Sequence, residues 1–513
     1  MSLNPTCVLE HRRHLLAVPS SRRTSTVRSP IRPTESVSIP QANAGDVNEA
    51  AARVRAAQRA WAEVPVRERT RFARRLHTLV LERQEEILDI IQWETGKSRR
   101  SAFDEVADVS MTALYYASHG PKQLSPERRR GALPFLTTAQ VNYHPRGVVS
   151  MISPWNYPFT LPVSDAIPAL IAGNGVLLKA DPKTTLSALF GISLMVEAGL
   201  PEDLFLLVSG KAETIGPALI DEGDFVMFTG STATGAIIAQ QAAKNLTDFS
   251  AELGGKNAMV VLDDADVQRA IDGIITAGFS NAGQLCMSIE RLYVHEKIYD
   301  TFVPQLVDRV SALSVGTAMD YSADVGSLIS RDQLRKVSEH VTDATKKGAQ
   351  ILTGGRARPD IGPFVYEPTL LESVRDDMVL CRGETFGPVI ALSRFSSDEE
   401  ALALANDSEY GLNASVWGSP ARATAVATRI QAGSVNVNEG FTATWASTDA
   451  PMGGMKKSGI GRRHGPEGIR KYCESQTVAR QRLTNVDAPR GMSQERFTRV
   501  MTTGLKLMGL TRR

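Results

Sequence analysis

The sequence predicts an α/β fold, and an alternation of strand-like and helical segments is the main observation behind that prediction. Short apolar runs are each followed by a loop and by a stretch rich in Ala, Leu and Ile; they are residues 148–152, 175–179, 204–208 and 225–228. This alternation favours a parallel, doubly wound sheet. A second α/β unit begins at residue 258 and continues to about residue 439. In doubly wound sheets ligands bind at the carboxyl ends of the strands, so the loops there are candidate cofactor sites.

Two segments before the first sheet carry apolar residues at helical spacing. Residues 46–61 begin with Asp46, a capping residue, and residues 67–92 continue the pattern, so both predict amphipathic helices laid on a core. Residues 136–151 change to β-rich sequence interrupted by Pro-Arg-Gly, which predicts a hairpin. The second unit resumes the alternation, with predicted strands at 258–262 and 291–294 and predicted helices at 266–279 and 299–313.

Both ends of the chain differ from this pattern. Residues 1–38 carry six arginines with several Ser and Thr, which predicts a disordered basic extension; an organelle transit peptide is the alternative. Residues 483–513 predict an amphipathic C-terminal tail. Its apolar helical face consists of Phe497, Val500, Met501, Leu505 and Met508. Such a helix docks on its own protein or on a sister subunit more often than on an anionic membrane, and both occupants stay open.

Length and composition are those of an ordinary globular enzyme. At 513 residues the chain is long enough for two or three domains. A net charge of +2 gives no reason to expect nucleic acid as a partner. The four cysteines include no C-x-x-C pair and the eight histidines do not cluster, so we expect no disulfide framework, no metal site and a reducing, cytoplasmic location. Apolar runs are all shorter than the roughly 20 residues that cross a bilayer.

Cys286 is the candidate nucleophile. It lies three residues after Gly283, in a loop whose backbone can approach a ligand closely, which suits a thiolate. Upstream, Glu252 lies beside a Gly-Gly turn, and a carboxylate there can activate the water that releases a covalent intermediate. Asn156, between two prolines, offers an amide donor for an oxyanion. A buried cysteine alone is most often packing, so it is the combination of the three residues that indicates chemistry.

Residues 228–235 form the sharpest loop, with a strand end, a glycine turn and a helix predicted to start near Ala236. A helix N-terminus with Ser and Thr hydroxyls binds anions, so Gly230 and Ser231 are candidates for a phosphate. The loop lacks the Lys-Ser/Thr of a P-loop, which disfavours nucleoside triphosphate hydrolysis. Lys179, at the end of a buried-looking strand, is a candidate donor to a nucleotide.

Six motifs in this order resemble the signature set of the aldehyde dehydrogenase superfamily. They are P-W-N-Y-P at 154–158, F-T-G-S-T at 228–232, E-L-G-G-K at 252–256, G-Q-L-C at 283–286, E-T-F-G-P at 384–388, and P-M-G-G at 451–454 with S-G at 458–459. The resemblance runs from about residue 40 to about residue 480. Overall the sequence is most similar to NADP-type succinate-semialdehyde dehydrogenases.

The resemblance implies a Rossmann-like cofactor domain, a catalytic α/β domain and a small β oligomerisation arm, assembled into homodimers or homotetramers. The cofactor domain would comprise residues 39–135 and 148–253, and the catalytic domain residues 254–454. Residues 136–147 and 470–482 would form the arm. Cofactor binding in this family does without the usual glycine fingerprint, which accounts for its absence from this sequence.

The resemblance also implies a role for each site residue. Cys286 would attack the aldehyde carbon, Asn156 and the N–H of Cys286 would hold the oxyanion, and Glu252 would activate water to hydrolyse the thioester. The implied cofactor residues are Trp155, Lys179 at the adenine ribose, Gly230 and Ser231 at the pyrophosphate, Glu384 at the nicotinamide ribose and Phe386 at the nicotinamide end. The substrate residues would be Tyr157, Ser164 and Arg291, and no metal takes part.

One departure from the family pattern concerns the cofactor. NAD-preferring members have a glutamate three residues after the lysine, and this chain has Pro182 there. Loss of that carboxylate removes its repulsion of a 2′-phosphate, which Lys179, Lys183 or Lys211 can pair with. We therefore expect NADP to be preferred, with NAD as an alternative.

A second departure concerns the substrate. Some succinate-semialdehyde enzymes bind the substrate carboxylate with two arginines, at positions where this chain has Ser164 and Ser280. A desolvated carboxylate without a guanidinium costs several kcal/mol, so another cation must substitute, with Arg291 as one candidate, or the substrate differs. The alternative is a broad or medium- to long-chain aliphatic aldehyde dehydrogenase, membrane-associated through the tail. A binding protein without activity would have lost Cys286 or Glu252, and a CoA-dependent relative would not need Glu252.

Overall fold

The computed structural model describes residues 4–131, 137–481 and 487–510. The first residue of the predicted arm and residue 482 at its end, the start of the predicted tail at 483–486 and its last residues 511–513 lie outside the described residues. Two compact units are present. One is built from Met1–Gln123 and Pro145–Tyr472, and the other from Leu124–His144 and Cys473–Arg513.

The strands, in chain order, are β1 Thr24–Arg28, β2 Ser36–Pro40, β3 Glu127–Arg130, β4 Thr137–Pro145, β5 Val148–Ile152, β6 Gly175–Lys179, β7 Phe205–Leu207, β8 Phe225–Thr229, β9 Asp248–Glu252, β10 Asn257–Val261, β11 Ile289–His295, β12 Gln350–Thr353, β13 Thr369–Glu372, β14 Val389–Phe395, β15 Tyr410–Gly411, β16 Asn413–Trp417, β17 Ser434–Val437, β18 Met455–Lys456, β19 Gly459–Ile460 and β20 Cys473–Gln481.

The helices are α1 Pro5–Arg12, α2 Ala44–Ala62, α3 Val66–Arg69, α4 Arg71–Glu82, α5 Gln84–Thr95, α6 Arg99–Gln123, α7 Thr160–Ile171, α8 Thr185–Glu197, α9 Ala212–Asp221, α10 Thr232–Lys244, α11 Val267–Phe279, α12 Glu296–Ser311, α13 Arg331–Lys346, α14 Val379–Arg382, α15 Asp398–Asn406, α16 Pro420–Ala427, α17 Thr442–Trp445, α18 Gly465–Arg470 and α19 Gln494–Leu510.

The first unit contains the predicted doubly wound sheet. Its strand order, within the described residues, is β19-β9-β8-β5-β6-β7, and neighbours are parallel except for β19. Strands β6 and β8 are buried along their whole length, as expected for a parallel sheet covered on both faces. The chain leaves β5 towards β7 on one side and returns through β8 to β9 on the other, so the order reverses between β5 and β8.

A second sheet in the same unit has the order β12-β13-β14-β11-β10-β16-β17 in the described part of the chain. Its neighbours are parallel except for the β12–β13 pair. The α/β prediction is therefore confirmed for both sheets. The predicted strand at 225–228 extends one residue further, through Thr229, and the strand predicted at 204–208 is two residues shorter.

Helix prediction was less accurate than strand prediction. The helix predicted over 67–92 is three helices, α3 to α5, and Arg83 interrupts the last two with φ −103° and ψ 18°. The helix predicted from Asp46 begins at Ala44, because Asn43 is its cap and Asp46 completes a capping box. Helix α10 begins at Thr232 instead of near Ala236, with Ser231 as its cap.

The predicted disorder of residues 1–38 is wrong for the described residues from Asn4 onwards. Helix α1 is capped by Asn4, and β1 and β2 pair as an antiparallel hairpin. Leu16 is fully buried and bridges Leu207 of β7, so this segment extends the edge of the first sheet. The arginine-rich composition obscured a set of apolar side chains whose burial stabilises the folded segment. The buried ones are Val8, Leu9, Leu15, Leu16, Val27 and Val37.

The predicted hairpin over 136–151 is also wrong. Strand β4 pairs with β3 in the second unit, whereas β5 pairs with β6 and β8 in the first. The burial patterns give the reason: β5 is buried at nearly every position, and β4 alternates between half-buried and exposed residues. Two runs with such different burial belong to different sheets.

The second unit contains a three-stranded sheet in the order β20-β4-β3 and the C-terminal helix α19. The sheet contains β4 and β20, which are parts of the two predicted arm segments, and adds β3, which sequence reasoning missed. Residues 146–147 and 470–472 of the predicted segments belong to the first unit. Helix α19 matches the predicted amphipathic tail, but Val500 and Leu505, assigned to its apolar face, are exposed. Among the described helices of the chain, none is long and apolar enough to cross a membrane.

Candidate active site

A cleft opens in the first unit where loops from the two large sheets meet. It encloses about 680 Å³ of empty space. Its lining consists of Pro154, Trp155, Asn156, Thr229, Gly230, Ser231, Glu252, Leu253, Gly254, Cys286, Gln333, Lys336, Glu384 and Phe386. The structure thus brings together the three predicted catalytic residues and five of the six predicted cofactor residues.

The first sheet delivers its site residues from the carboxyl ends of its strands. Asn156 follows β5, Ser231 follows β8, and Glu252 is the last residue of β9. Strands β5, β8 and β9 are consecutive neighbours in the sheet, and β5 and β8 flank the point where the strand order reverses. Crevices form at such points because the flanking loops leave in opposite directions.

The second sheet delivers its residues from the opposite ends. Cys286 precedes β11, and Glu384 and Phe386 precede β14, which is the parallel neighbour of β11. These loops therefore lie at the amino ends of the strands. The rule that ligands bind at the carboxyl ends of parallel strands holds for the first sheet, but it does not predict the position of Cys286.

The backbone before Cys286 adopts an uncommon conformation. Asn281, Ala282 and Gly283 have φ values of 50°, 53° and 70° in succession, in the left-handed region. A residue with a Cβ is strained there, and such strain concentrates at functional sites. A Cβ on Gly283 would lie 2.1 Å from the carbonyl oxygen of Gly387, so this glycine is required.

Buried amides hold the cysteine loop in this conformation. Asn257 donates from Nδ2 to the carbonyl oxygen of Cys286 at 2.8 Å. The side chain of Gln284 donates to the carbonyl oxygen of Asn281 at 3.0 Å and accepts from the N–H of Ile329 at 3.0 Å. These bonds fix the position of the sulfur before any substrate arrives.

The surroundings of Cys286 favour the protonated thiol over the thiolate. Burial raises its pKa to about 12, and the carboxylates of Glu252 and Glu384 act in the same direction, whereas Arg463 lowers it. The sulfur is therefore a poor nucleophile until its environment changes or a base removes its proton.

Glu252 is buried, with 3% exposure, and its Oε1 has no hydrogen-bond partner among the described residues. Burial raises the pKa of this carboxyl to about 7, while Arg463 and Lys471 lower it and Asp165 raises it. A carboxylate that titrates near neutral pH is suited to general-base catalysis. A Cβ on Gly453 would approach Oε1 to 3.0 Å, so the glycine leaves space beside the carboxyl.

Asn156 is anchored through a buried ion pair. Lys97 donates from Nζ to the carbonyl oxygen of Asn156 at 2.7 Å and to Glu105 at 2.7 Å. The side chains of Lys97 and Glu105 are both fully buried, and Glu105 also accepts from the N–H groups of Phe159 and Thr160. The side-chain amide of Asn156 donates one hydrogen to the carbonyl oxygen of Gln284 at 3.2 Å and retains a second donor.

The loop that carries Glu384 and Phe386 is held in a similar way. Glu290 accepts from the N–H groups of Thr385 and Phe386 and pairs with the buried Lys256. Glu384 accepts from the N–H of Gly255 at 3.0 Å, and burial raises its pKa to about 7. Phe386 packs edge-on against the ring of Trp155 at 5.5 Å between centroids.

The lining suits a nicotinamide dinucleotide. Ser231 caps α10 through its side-chain oxygen, and the N–H groups of the first turn of this helix face the loop, where an anion is favoured. A Cβ on Gly230 would lie 2.5 Å from the ring of Phe228, so the chain is compact beside the helix N-terminus. Glu384 offers a carboxylate for ribose hydroxyls, and the two aromatic rings can flank a planar base.

The remaining predicted residues lie outside this cleft. Lys179, at the carboxyl end of β6, is buried, and its Nζ lies 3.5 Å from the carbonyl oxygen of Ala180. Burial lowers its pKa. Tyr157 packs beneath Lys97 and beside Trp445, and its hydroxyl has no partner among the described residues. Ser164 lines a neighbouring chamber, where it donates to Asp108 at 2.6 Å.

Arg291 is wrongly predicted as a substrate residue. Its guanidinium donates to the carbonyl oxygens of Lys256, Leu404, Ala405 and Asp407, and its side chain is buried. Position 291 is five residues after the nucleophile, which suggested proximity, but it falls inside β11, where the side chain points to the α15 side of the sheet. Its role is to satisfy carbonyl groups at the end of α15.

Several site residues were missed. Gln333 and Lys336 of α13 line the cleft, and Gln333 donates to the carbonyl oxygen of Phe386 at 2.6 Å. Arg463 and Lys471 lie behind Glu252 and act on its pKa. The sequence offered no signal for these residues, because lysines and arginines on amphipathic segments are normally solvated.

Metal chemistry has no obvious site in the described part of the chain. No group of three or more His, Cys, Asp or Glu side chains there is arranged to hold a metal ion.

Comparison with known proteins identifies the family. The family model described as "Aldehyde dehydrogenase family" matches residues 17–478. A protein of Mycolicibacterium smegmatis named "Putative succinate-semialdehyde dehydrogenase [NADP(+)]" is 50% identical over 469 residues, which cover 91% of each chain. One of Mycobacterium ulcerans named "Putative succinate-semialdehyde dehydrogenase [NADP(+)] 2" is 47% identical and covers 95% of each chain. A 3-sulfolactaldehyde dehydrogenase of Pseudomonas putida is 34% identical, covering 89% of this chain and 94% of its own.

Solved structures agree with this assignment. Betaine aldehyde dehydrogenase of Staphylococcus aureus in complex with NAD+ superimposes with a TM-score of 0.85 at 30% identity, covering 90% of this chain and 92% of its own. An NADP-dependent enzyme of E. coli superimposes with a TM-score of 0.85 at 32% identity, covering 90% and 95%. The family model, which matches most of the chain, and these relatives mean that the chain belongs to the aldehyde dehydrogenase family.

Proposed function

We propose that this protein oxidises succinate semialdehyde to succinate with NADP, through a covalent intermediate on Cys286. The main support for this proposal is that Cys286, Glu252 and Asn156 line one cleft, together with residues suited to binding a dinucleotide. Family membership supports the reaction type, and the names of the two mycobacterial relatives support the substrate and cofactor.

The reaction begins when a water molecule in the cleft takes the proton of the Cys286 thiol, the resulting thiolate bonds to the aldehyde carbon, and the carbonyl oxygen becomes an oxyanion. The free amide hydrogen of Asn156 and the N–H of Cys286 stabilise that charge. NADP, held by Ser231, Glu384 and Phe386, would supply the hydride acceptor for the oxidation of the former aldehyde carbon. The carbon is then a thioester on Cys286.

Glu252 completes the cycle. Its carboxylate removes a proton from water, the water oxygen bonds to the thioester carbon, and the bond to the sulfur breaks to release the carboxylic acid. The unpartnered Oε1 and the space beside Gly453 support this role, since an incoming water needs both an acceptor and room.

The preference for NADP rests on the strand ends beside the cleft. Lys179 ends β6, Lys183 follows in the next loop, and Lys211 precedes α9 after the neighbouring strand β7. Pro182 stands among them in place of a repelling carboxylate. We expect a lower KM for NADP than for NAD.

Steady-state kinetics with both cofactors test this preference. Lys211→Met should raise the KM for NADP about tenfold and leave that for NAD nearly unchanged, because only NADP carries the 2′-phosphate. Lys244→Met, an exposed lysine at the end of α10, is the matched control. A lower KM for NAD in the wild type would refute the preference.

A panel of aldehydes tests the substrate. NADPH absorbance would be followed with succinate semialdehyde, with short and medium aliphatic aldehydes and with benzaldehyde. We expect succinate semialdehyde to have the highest kcat/KM. Turnover of the aliphatic series without turnover of succinate semialdehyde would refute the proposed substrate and would show an aldehyde dehydrogenase of different specificity.

We also propose that the protein is a cytoplasmic homodimer or homotetramer, with the three-stranded sheet as the contact. Strand β3 is an edge strand whose residues 128–130 are exposed, and an exposed edge is suited to pairing with another strand. The scattered cysteines, which include no C-x-x-C pair, favour a reducing compartment. Light scattering on the full chain measures the assembly, and a monomer would contradict it.

A further inference from the structure

The substrate proposed above has an anionic end that needs a counter-charge. Burying a carboxylate without a partner costs several kcal/mol. Positions 164 and 280 carry serine, and Arg291 is bonded elsewhere. The protein must therefore supply a cation from residues that the sequence did not indicate.

A second cavity lies beside the cleft. Arg463 lines it, and from there Nη2 donates to Oγ1 of Thr229 at 2.7 Å, while Thr229 lines the cleft. Ser164, the residue expected to face the substrate, lines the same cavity. We name this cavity the rear chamber, and the polar residues of its lining that matter here are Thr112, Ser164, Asp165, Arg463, His464 and Lys471.

Lys471 is a half-buried cation that forms no ion pair within the described part of the chain. Within the described residues no carboxylate oxygen lies within 4.0 Å of its Nζ, which instead approaches the sulfur of Met227 at 3.4 Å and the ring of Tyr472 at 5.0 Å. Burial lowers its pKa to about 8, so it is still mostly protonated at neutral pH. An unpaired buried charge is expensive, and proteins retain one mainly for a ligand or for catalysis.

Three further polar atoms in the rear chamber are buried without hydrogen bonds in the described part of the chain. They are Oγ1 of Thr112, Nε of Arg463 and Nδ1 of His464. The hydroxyl and the guanidinium can donate, and the imidazole can donate in one tautomer. Native proteins leave few such atoms unpaired, so these atoms are suited to a group that accepts several hydrogen bonds.

The charges of the chamber favour an anion. Asp165 is paired with Arg463 at 2.6 Å, which leaves Lys471 unbalanced. Asp108 accepts bonds from Ser164 and Thr160, and burial raises its pKa, which favours its neutral form. Glu252 is the other carboxylate within electrostatic reach of Arg463 and Lys471, and Arg462 also acts on it.

We propose that the rear chamber receives the carboxylate end of the aldehyde substrate, with Lys471 and Arg463 as its counter-charges and Thr112 and Ser164 as neighbouring hydroxyls. This inference rests on the proposed oxidation of succinate semialdehyde and names the residues that select it. Both cations come from the segment 463–471, which also passes behind the general base.

Lys471→Met is the most direct test. The variant removes the charge at nearly constant volume and breaks no described ion pair, so it should fold and should not lower Tm. The measurement is kcat/KM for succinate semialdehyde divided by kcat/KM for butanal. Because a change in the pKa of Glu252 affects both aldehydes alike, it cancels in this ratio. We expect the ratio to fall at least tenfold, mainly through the KM for succinate semialdehyde.

Two variants serve as comparisons. Lys471→Arg keeps the charge and should retain most of the ratio. Lys457→Met removes an exposed lysine that pairs with Glu409 and should leave the ratio at the wild-type value. A Lys471→Met ratio within about threefold of wild type would overturn the inference and leave the rear chamber without a role in substrate selection.

Succinate binding separates the inference from the proposed function. Succinate should raise the Tm of the wild type and have a smaller effect on Lys471→Met, whatever aldehyde the enzyme prefers. If the wild type binds succinate in this way but does not oxidise succinate semialdehyde, the proposed function alone fails. If succinate semialdehyde is a good substrate and the variant keeps both the ratio and the succinate effect, the inference alone fails.

Discussion

The two large sheets contribute to the same cleft from opposite ends. The first presents Asn156, Ser231 and Glu252 after its strands, and the second presents Cys286 and Glu384 before its strands. The first sheet therefore supplies groups that stabilise charge and move protons, and the second supplies the sulfur. The difference shows that the doubly wound sheet positions a ligand site through its strand ends. The sulfur of Cys286 instead lies on a loop that is held by separate hydrogen bonds from Asn257 and Gln284.

The largest effect should come from the second sheet. Cys286→Ser should lower turnover by about 10³-fold or more and abolish any burst of NADPH, because an alkoxide is far harder to form than a thiolate at this buried position. Rapid-mixing absorbance measures both quantities. Cys381→Ser, a half-buried thiol in α14, is the control. Residual activity near wild type would mean that another residue is the nucleophile.

Glu252→Gln should separate the two half-reactions. We expect steady-state turnover to fall by about 10²–10³-fold while a burst of about one NADPH per site remains, because acylation needs the sulfur and hydrolysis needs the base. Intact-mass spectrometry should detect the acylated protein. Glu409→Gln provides the surface control. Loss of the burst together with turnover would show that the two sheets do not divide the reaction in this way.

Asn156→Ala should slow acylation by about 10²-fold, the usual effect of losing one oxyanion donor. The burst rate is the quantity to measure, and Asn245→Ala at the end of α10 is the matched amide. An unchanged burst rate would mean that the N–H of Cys286 is the main hydrogen-bond donor to the oxyanion. The first sheet would then contribute little to acylation.

The smallest effect is a pH dependence. Because burial raises the pKa of Glu252 to about 7, the active carboxylate form is lost below that pH. Hydrolysis should therefore fall by up to tenfold per pH unit below about pH 7 and level off above it. Turnover measured under conditions where hydrolysis limits the rate checks this. A profile without an inflection near neutral pH would contradict the role of Glu252.

The sequence predicted the parts of this site that local patterns encode. Four strands of the first sheet were read from apolar runs, the six motifs were recognised from a family resemblance, and eight of the predicted catalytic and cofactor residues line one cleft. Arg291 failed because position along a strand does not reveal which neighbours satisfy a guanidinium. Arg463 and Lys471 were missed because their proximity to Glu252 comes from the packing of segments distant in the sequence, which composition cannot show.

The ordered N-terminal segment was missed for a related reason. Its arginines suggested solvation, but Leu16 reaches the edge strand β7 and is completely buried. A few apolar residues decide whether such a segment folds, and their partners lie nearly two hundred positions away in the chain. Tertiary contacts of this range override local composition.

The close approach of residues 283 and 387 has a mechanical consequence. With only a hydrogen atom on Gly283 facing the carbonyl oxygen of Gly387, the turn that carries the sulfur packs directly against the turn that carries Glu384 and Phe386. Any side chain at position 283 would push these two turns apart, so the spacing between the sulfur and the cofactor loop depends on this glycine.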